Sequence, residues 1–287
     1  MAIRDQVYTR YDGTIREQYA WAVIGWTGFR TYWAFWRTKL TLLAVWLPPL
    51  FFALLVVAEY ALQSQMGQLG DGEATPGVTM ITLFLQVQIF SLALVYAANG
   101  CGIISDDLRH RTIQLYFSKP ITRLDYGAGK YLTLLLLGTV AVIIPAGLLA
   151  MLRSAFYAQS DMLSDIIFMH IKGLLLAVIL VAVMSAMVIG LSSLTRRTGY
   201  AVLAWIGVLL VPLILHAIFG VASEGSPLAA LWSLPGTTGL ASQALVGGGE
   251  NLVESVPAWS PFAVYAGLLG AGLGSLYWRI SRLEGIA

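Results

Sequence analysis

The residues with chemistry to offer are few and scattered. His110, His170 and His216 are far apart, and no pair has metal-ligand spacing. Cys101 is the only cysteine, so no intrachain disulfide is possible. Gly247-Gly248-Gly249 is followed by Glu250, where a phosphate-binding loop needs Lys and then Ser or Thr. Gly270, Gly272 and Gly274 imitate a dinucleotide fingerprint, but they lie in an apolar run with no strand before it. Gly270-x-x-x-Gly274 reads instead as a small-residue face for close helix packing. The expectation is a chain with no catalytic, cofactor-binding or metal-ligating set, hence no enzyme in itself.

One polar stretch stands apart, from Ser105 to Arg123, with Gly129-Lys130 just beyond. Ser105 is placed to cap a short helix, with Asp106 and Asp107 in its first turn, where the dipole favours acid. Arg109, Arg111 and Thr112 follow, Leu115, Tyr116 and Phe117 add an apolar patch, Pro120 ends the helix, and Arg123 lies after it. Charge beside aromatic surface is what a protein–protein hot spot uses. A plain basic loop is the other reading, and composition leaves the two open.

The elements around this stretch are long and apolar. Of the 287 residues 58% are hydrophobic and 11% charged, against roughly 25% charged in soluble domains. The mean hydropathy of +0.76 agrees, and so little charge cannot cover a water-facing surface. A membrane-spanning helix takes about 20 apolar residues, and six segments qualify: 40–62, 79–104, 128–152, 167–193, 200–222 and 260–279. Barrel strands would alternate in polarity, and these runs do not. The expected fold is an all-α integral membrane protein with one domain over 1–287, whose six-helix bundle occupies 40–279.

Charge sets the expected orientation. Arg4, Arg10, Arg16, Arg30, Arg37 and Lys39 precede the first span, Arg109, Arg111, Lys119 and Arg123 follow the second, Arg196 and Arg197 the fourth, and Arg279 and Arg282 the sixth. Connections 63–78 and 223–259 hold no Lys or Arg but Asp71, Glu73, Glu224, Glu250 and Glu254. By the positive-inside rule both termini face the cytoplasm. Residues 1–18 are polar, so the first span is expected to serve as the targeting signal.

Two further segments carry expectations. Within the N-terminal region 1–39, residues 19–39 place Trp26, Phe29, Trp33 and Trp36 on one side and Thr27, Arg30 and Arg37 on the other, as in an amphipathic helix lying in the membrane interface. Connection 223–259 is long for a bundle, and its short apolar patches and prolines suggest a pair of half-inserted, re-entrant helices. Few polar residues fall inside the spans. Gln86, Gln88 and Asn99 suit interhelical hydrogen bonds or cargo contact. Pro48, Pro49, Pro145 and Pro212 are expected to bend their helices, and His216, one turn past Pro212, is assigned a structural role.

At segment 105–125 the chain resembles the permease subunits of ABC-2 type transporters. In that family the first cytoplasmic loop has an acidic residue, Gly or Arg before Thr, an apolar stretch, Ser-x-Pro-[Ile/Val]-[Ser/Thr]-Arg, and Gly-Lys entering the third span. Here stand Asp106 and Asp107, Arg111-Thr112-Ile113, Ser118-Lys119-Pro120-Ile121-Thr122-Arg123 and Gly129-Lys130. The Asp106-Asp107 pair departs from the Glu-then-basic pattern of many relatives. The resemblance implies a type V exporter-like permease fold in a bacterial plasma (inner) membrane, working as two permease copies or one copy and a homologue. Two cytosolic ATPase subunits, which carry the ATP and magnesium, dock on 105–125, and no nucleic acid is involved. Asp106, Asp107, Arg109, Arg111, Thr112, Leu115, Tyr116, Phe117, Pro120 and Arg123 are thereby nominated for ATPase coupling, and Trp26, Phe29, Trp33 and Trp36 for the membrane interface. Alternatives are a membrane component that passes ATP-driven motion to another protein, and a secondary carrier, which would want mid-membrane acids that are scarce here.

Overall fold

The computed structural model describes residues 19–66, 77–113, 116, 121–158, 163–222, 227–247 and 256–282. All regular structure among them is helical. In chain order the helices are α1 (Ala20–Ala34), α2 (Trp36–Val45), α3 (Leu47–Met66), α4 (Gly77–Val95), α5 (Gly102–His110), α6 (Arg123–Gly138), α7 (Ile144–Phe156), α8 (Leu163–Leu194), α9 (Thr198–Ala222), α10 (Leu234–Val246) and α11 (Ser260–Ser281). One π-helical turn, Tyr96–Gly100, joins α4 to α5, and another, Thr139–Ile143, joins α6 to α7.

Five continuous helical runs are long and apolar enough to cross a membrane: Trp36–Leu62, Val78–His110, Arg123–Phe156, Leu163–Leu194 and Thr198–Gly220. Helix α11 is 22 residues long, but its glycines, tyrosines and tryptophan dilute its hydropathy, and it falls outside that set. Helix α8 is buried along most of its length, with Leu176, Leu180, Met184 and Val188 sealed from solvent. It forms the axis around which the other helices pack. Helix α9 is nearly bare.

Side-chain detail fixes these crossings. Tyr96, fully buried, donates to the Leu134 carbonyl at 3.1 Å and lies 2.6 Å from the Ser185 hydroxyl, tying α4, α6 and α8 together. Gly138 makes the room: a Cβ there would meet the Tyr96 hydroxyl at 2.5 Å. Ser192 inserts at the π-turn, accepting from the Ile104 and Ser105 amides at 3.0 and 3.1 Å and donating to the Cys101 carbonyl at 2.8 Å. A π-turn leaves backbone groups unserved by the regular ladder, and Ser192 serves them. Pro145 follows the second π-turn, where a helix-interior proline would cost a hydrogen bond. Pro48 and Pro49 sit in the first turn of α3, just after the break at Trp46. Pro212 is carried inside α9.

Three sequence expectations need correction. Ser105 does not cap a helix. It is fully buried within α5, which starts at Gly102 as the prolongation of α4, and its hydroxyl donates back to the Cys101 carbonyl at 2.9 Å. The interfacial helix is shorter than 19–39. Phe35, with φ −77° and ψ 131°, breaks it, so Trp36, Arg37 and Lys39 belong to the base of the first span. Third, within one copy no described atom lies within 4 Å of a Cβ placed on Gly270 or Gly274. The close crossing of α8 and α11 uses Gly190 and Gly272, since a Cβ on Gly190 would meet Gly272 Cα at 2.9 Å. Gly272 lies half a turn around the helix from both, so within one copy the repeat faces away from the α8 crossing.

The polar residues inside the bundle divide. Thr38 donates to Asn99 Oδ1 at 2.7 Å, and Gln86 donates to the Pro235 carbonyl at 3.0 Å, as expected of interhelical bonds. Gln88 is fully buried with neither amide atom partnered among the described residues. Within connection 223–259 a 3-10 turn, Pro227–Trp232, leads into α10, which packs on α4. Ser233 caps α10 through the Gly236 amide at 3.2 Å, and His216 Nδ1 lies 2.6 Å from the same hydroxyl, which gives His216 its structural place.

Candidate functional site

Asp107 is the centre of a polar cluster where α5 meets α6. Lys130 Nζ lies 2.7 Å from its Oδ2. The Tyr126 hydroxyl donates to the same oxygen at 2.7 Å, and Thr112 Oγ1 donates to Oδ1 at 2.8 Å. The ion pair is largely buried, with 14% of the lysine and 17% of the aspartate side chain exposed. Removing one partner of a pair this dry leaves an uncompensated charge, at a cost of about 3–5 kcal/mol. Tyr116 closes the cluster: its ring stands edge-on to Tyr126, centroids 5.1 Å apart, and Lys130 Nζ lies 5.7 and 5.6 Å from the two ring centres. Tyr32 of α1 lies close by. Burial first, and then the charges of Asp106 and Asp107, push its phenol well above the usual range, so Tyr32 stays neutral.

The cluster exists because α6 and α1 are held at close range. Thr122 and Asp125 form a reciprocal capping box that starts α6, with the Thr122 hydroxyl accepting from the Asp125 amide at 3.1 Å. One turn on, α1 crosses α6 on glycines. A Cβ on Gly129 would fall 2.6 Å from Ile24 Cβ and 2.9 Å from the Trp21 carbonyl, and one on Gly25 would fall 2.6 Å from Leu132 Cδ2. Thr133 bonds across the seam to the Gly25 carbonyl at 3.2 Å. Gly129-Lys130 thus carries two jobs in adjacent residues: the glycine admits α1, and the lysine reaches Asp107.

Helix α5 ends at Arg111, whose φ of 57° puts it in the left-handed region. Its amide and that of Thr112 both donate to the Asp107 carbonyl, closing the helix as glycine usually does. The resemblance has Gly or Arg before Thr at this position, and the backbone explains the glycine. Asp106 points the other way from Asp107 and accepts from the Thr198 hydroxyl at 2.5 Å, at the start of α9. Arg109 and Arg111 are exposed. Arg123 reaches the Ser281 carbonyl at 3.4 Å, joining α6 to the end of α11.

The nominated coupling residues therefore divide. Asp107, Thr112 and Tyr116 face inward and build the cluster, while Asp106, Arg109 and Arg111 face a large cavity. Leu115, Phe117 and Pro120 lie outside the described residues. On α1, Trp26, Phe29 and Trp33 form a continuous aromatic row, with successive centroids 5.8 Å apart. Trp36 is 74% exposed on α2. Lys130, Tyr126, Tyr32 and Thr198 were not nominated. Lys130 carried a signal: a lone cation entering an apolar helix needs an acid, and Asp106-Asp107 was the nearest candidate in sequence.

A second ion pair sits at the far end of the bundle. Arg153 of α7 meets Glu59 of α3 at 3.0 Å, with 7% and 10% of the side chains exposed. Arg153 is a basic residue at the end of the bundle where the acidic connections lie. Its charge is in fact balanced within the bundle.

Long apolar helices around a buried polar hub at one end define a multi-pass helical membrane protein. A family model for ABC-2 family transporter proteins matches residues 34–246, and the chain belongs to that family. It is accordingly a membrane component of an ABC transporter. No curated protein matches the chain. Among the described residues no group of three or more His, Cys, Asp or Glu side chains could hold a metal ion.

Proposed function

We propose that this chain is the membrane subunit of an ATP-driven exporter, with a cytosolic ATPase docking at the exposed end of α5. The observation that carries the reading is the Asp107 hub. Through Lys130 and Tyr126 it ties the end of α5 to the start of α6, and the glycine crossing ties α6 to α1. A push on the α5 end is passed as a rigid displacement to the third span and to the aromatic row of α1. Arg109, Arg111 and Asp106 form the exposed contact surface, and Asp107, Thr112 and Tyr116 transmit. In this reading both termini face the cytoplasm, α11 is the sixth span, and the 3-10 turn with α10 forms the re-entrant pair. Trp26, Phe29 and Trp33 lie at headgroup level, as interfacial aromatics do.

The test is charge reversal at the exposed positions. Arg109→Glu with Arg111→Glu should lower co-purification of the ATPase at least about tenfold, as loss of a hot-spot pair does, while membrane insertion stays normal. Retention of the ATPase and of its ATP hydrolysis at wild-type levels would remove α5 as the docking element.

A further inference from the structure

The cavity beside α5 has an unusual charge content. It measures about 1280 Å³ and lies between α1–α2, the π-turn, α5 and the start of α9. Five arginines line it: Arg37, Arg109, Arg111, Arg196 and Arg197. Three separate stretches of chain supply them, the base of the first span, the end of α5 and the turn between α8 and α9. None has an ion-pair partner among the described residues, and the one aromatic contact is Arg197 over Tyr200 at 5.9 Å. Asp106 is the single acid in the lining, and it already accepts from Thr198. The first turn of α9 lines the cavity too, at Thr198, Gly199 and Tyr200, and adds the positive end of a 25-residue helix. A Cβ on Gly199 would meet nothing within 4 Å, so the backbone there is open to approach.

We infer that this cavity binds the phosphate-bearing headgroup of an anionic phospholipid. Five guanidinium groups around one engaged carboxylate make the cavity strongly cationic, and guanidinium forks match phosphate oxygens bidentately. The rest of the lining favours a lipid over free phosphate. Ala97, Ala98, Val202 and Leu203 continue the cavity as an apolar wall, and α9 beyond them is bare along its length, which gives acyl chains a path beside the head. Basic pockets between spans on the cytoplasmic side take anionic headgroups in this way. The bound lipid would bridge α5 and α9 beside the Asp106–Thr198 and Ser105–Thr198 hydrogen bonds that already join them. This inference goes beyond the ATPase reading but shares Arg109, Arg111 and the cytoplasmic orientation with it, so its test is placed on Arg196 and Arg197, which the docking surface does not use.

The test uses the full chain in detergent, offered equal amounts of phosphatidylglycerol and phosphatidylcholine, with bound lipid read by native mass spectrometry. Phosphatidylglycerol should be retained at least about tenfold over phosphatidylcholine. Arg196→Gln with Arg197→Gln should cut that retention about thirtyfold, from the loss of two charges near a membrane surface. Arg196→Lys with Arg197→Lys should keep most of it, which separates loss of charge from loss of fold. Millimolar inorganic phosphate should not displace the lipid. Equal retention of the two lipids overturns the inference. So does unchanged phosphatidylglycerol on the glutamine variant, and so does displacement by phosphate, which would make this a site for a soluble anion.

Discussion

At the scale of single residues the Asp107–Lys130 pair makes the sharpest forecast. Lys130→Met leaves Asp107 charged and half-dressed among aromatic rings, and should cost about 3–5 kcal/mol. Asp107→Asn with Lys130→Met should recover much of that loss, because the double change removes both charges. Thermal unfolding in detergent followed by intrinsic tryptophan fluorescence measures both. A single variant as stable as wild type would mean that the pair is solvated. Arg111 makes the opposite forecast. It holds a left-handed backbone at φ 57°, which costs a residue with a side chain about 1 kcal/mol relative to glycine. Arg111→Gly should therefore gain stability by about that amount while weakening whatever the arginine binds. The sequence exposed these residues as a charged segment and carried their types, but not their partition. Which of two adjacent aspartates turns inward depends on the phase of α5, and that phase is set by the π-turn upstream, which no periodicity in the sequence announces.

At the scale of elements the crossing of α1 and α6 is the joint on which the hub depends. Gly129→Val should overpack it against Ile24 and the Trp21 carbonyl, at about 1–3 kcal/mol, and loosen Lys130 from Asp107 as it does so. Gly147→Ala is the matched control: no neighbour lies within 4 Å of its Cβ position, and alanine in a helix is favoured over glycine by about 1 kcal/mol. Stability of the first falling and of the second rising slightly, read by the same unfolding assay, would confirm that close approach matters here and glycine content does not. The five apolar runs were legible in sequence because length and hydropathy are summed properties. The α11 helix was legible as the apolar run 260–279, although its hydropathy is diluted. What sequence missed were the joints. The break at Phe35 has no proline or glycine to mark it, and the packing glycine Gly272 looks in sequence no different from Gly270 or Gly274.

At the scale of the whole molecule, the bareness of α9 is the feature that asks for completion. A helix with little packed against it in one copy must be covered by lipid, by a second copy or by both. The expected particle contains two copies of this chain, or one copy with a homologue, together with the ATPase pair; native mass measurement of the detergent-purified complex decides, and one permease per ATPase pair would sink it. Orientation is tested on the same molecule. In a Cys101→Ser background, Ala258→Cys lies beyond α10 at an exposed position, and His110→Cys lies at the exposed end of α5. An impermeant thiol reagent applied to intact cells should label the first and leave the second untouched until the membrane is opened. Ser242 would be a poor reporter, since it is fully buried and bonded to Thr82. Labelling of His110→Cys from outside would turn the molecule over, place the arginine cavity and the α5 end on the outer surface, and remove both the ATPase and the cytoplasmic-leaflet lipid from reach.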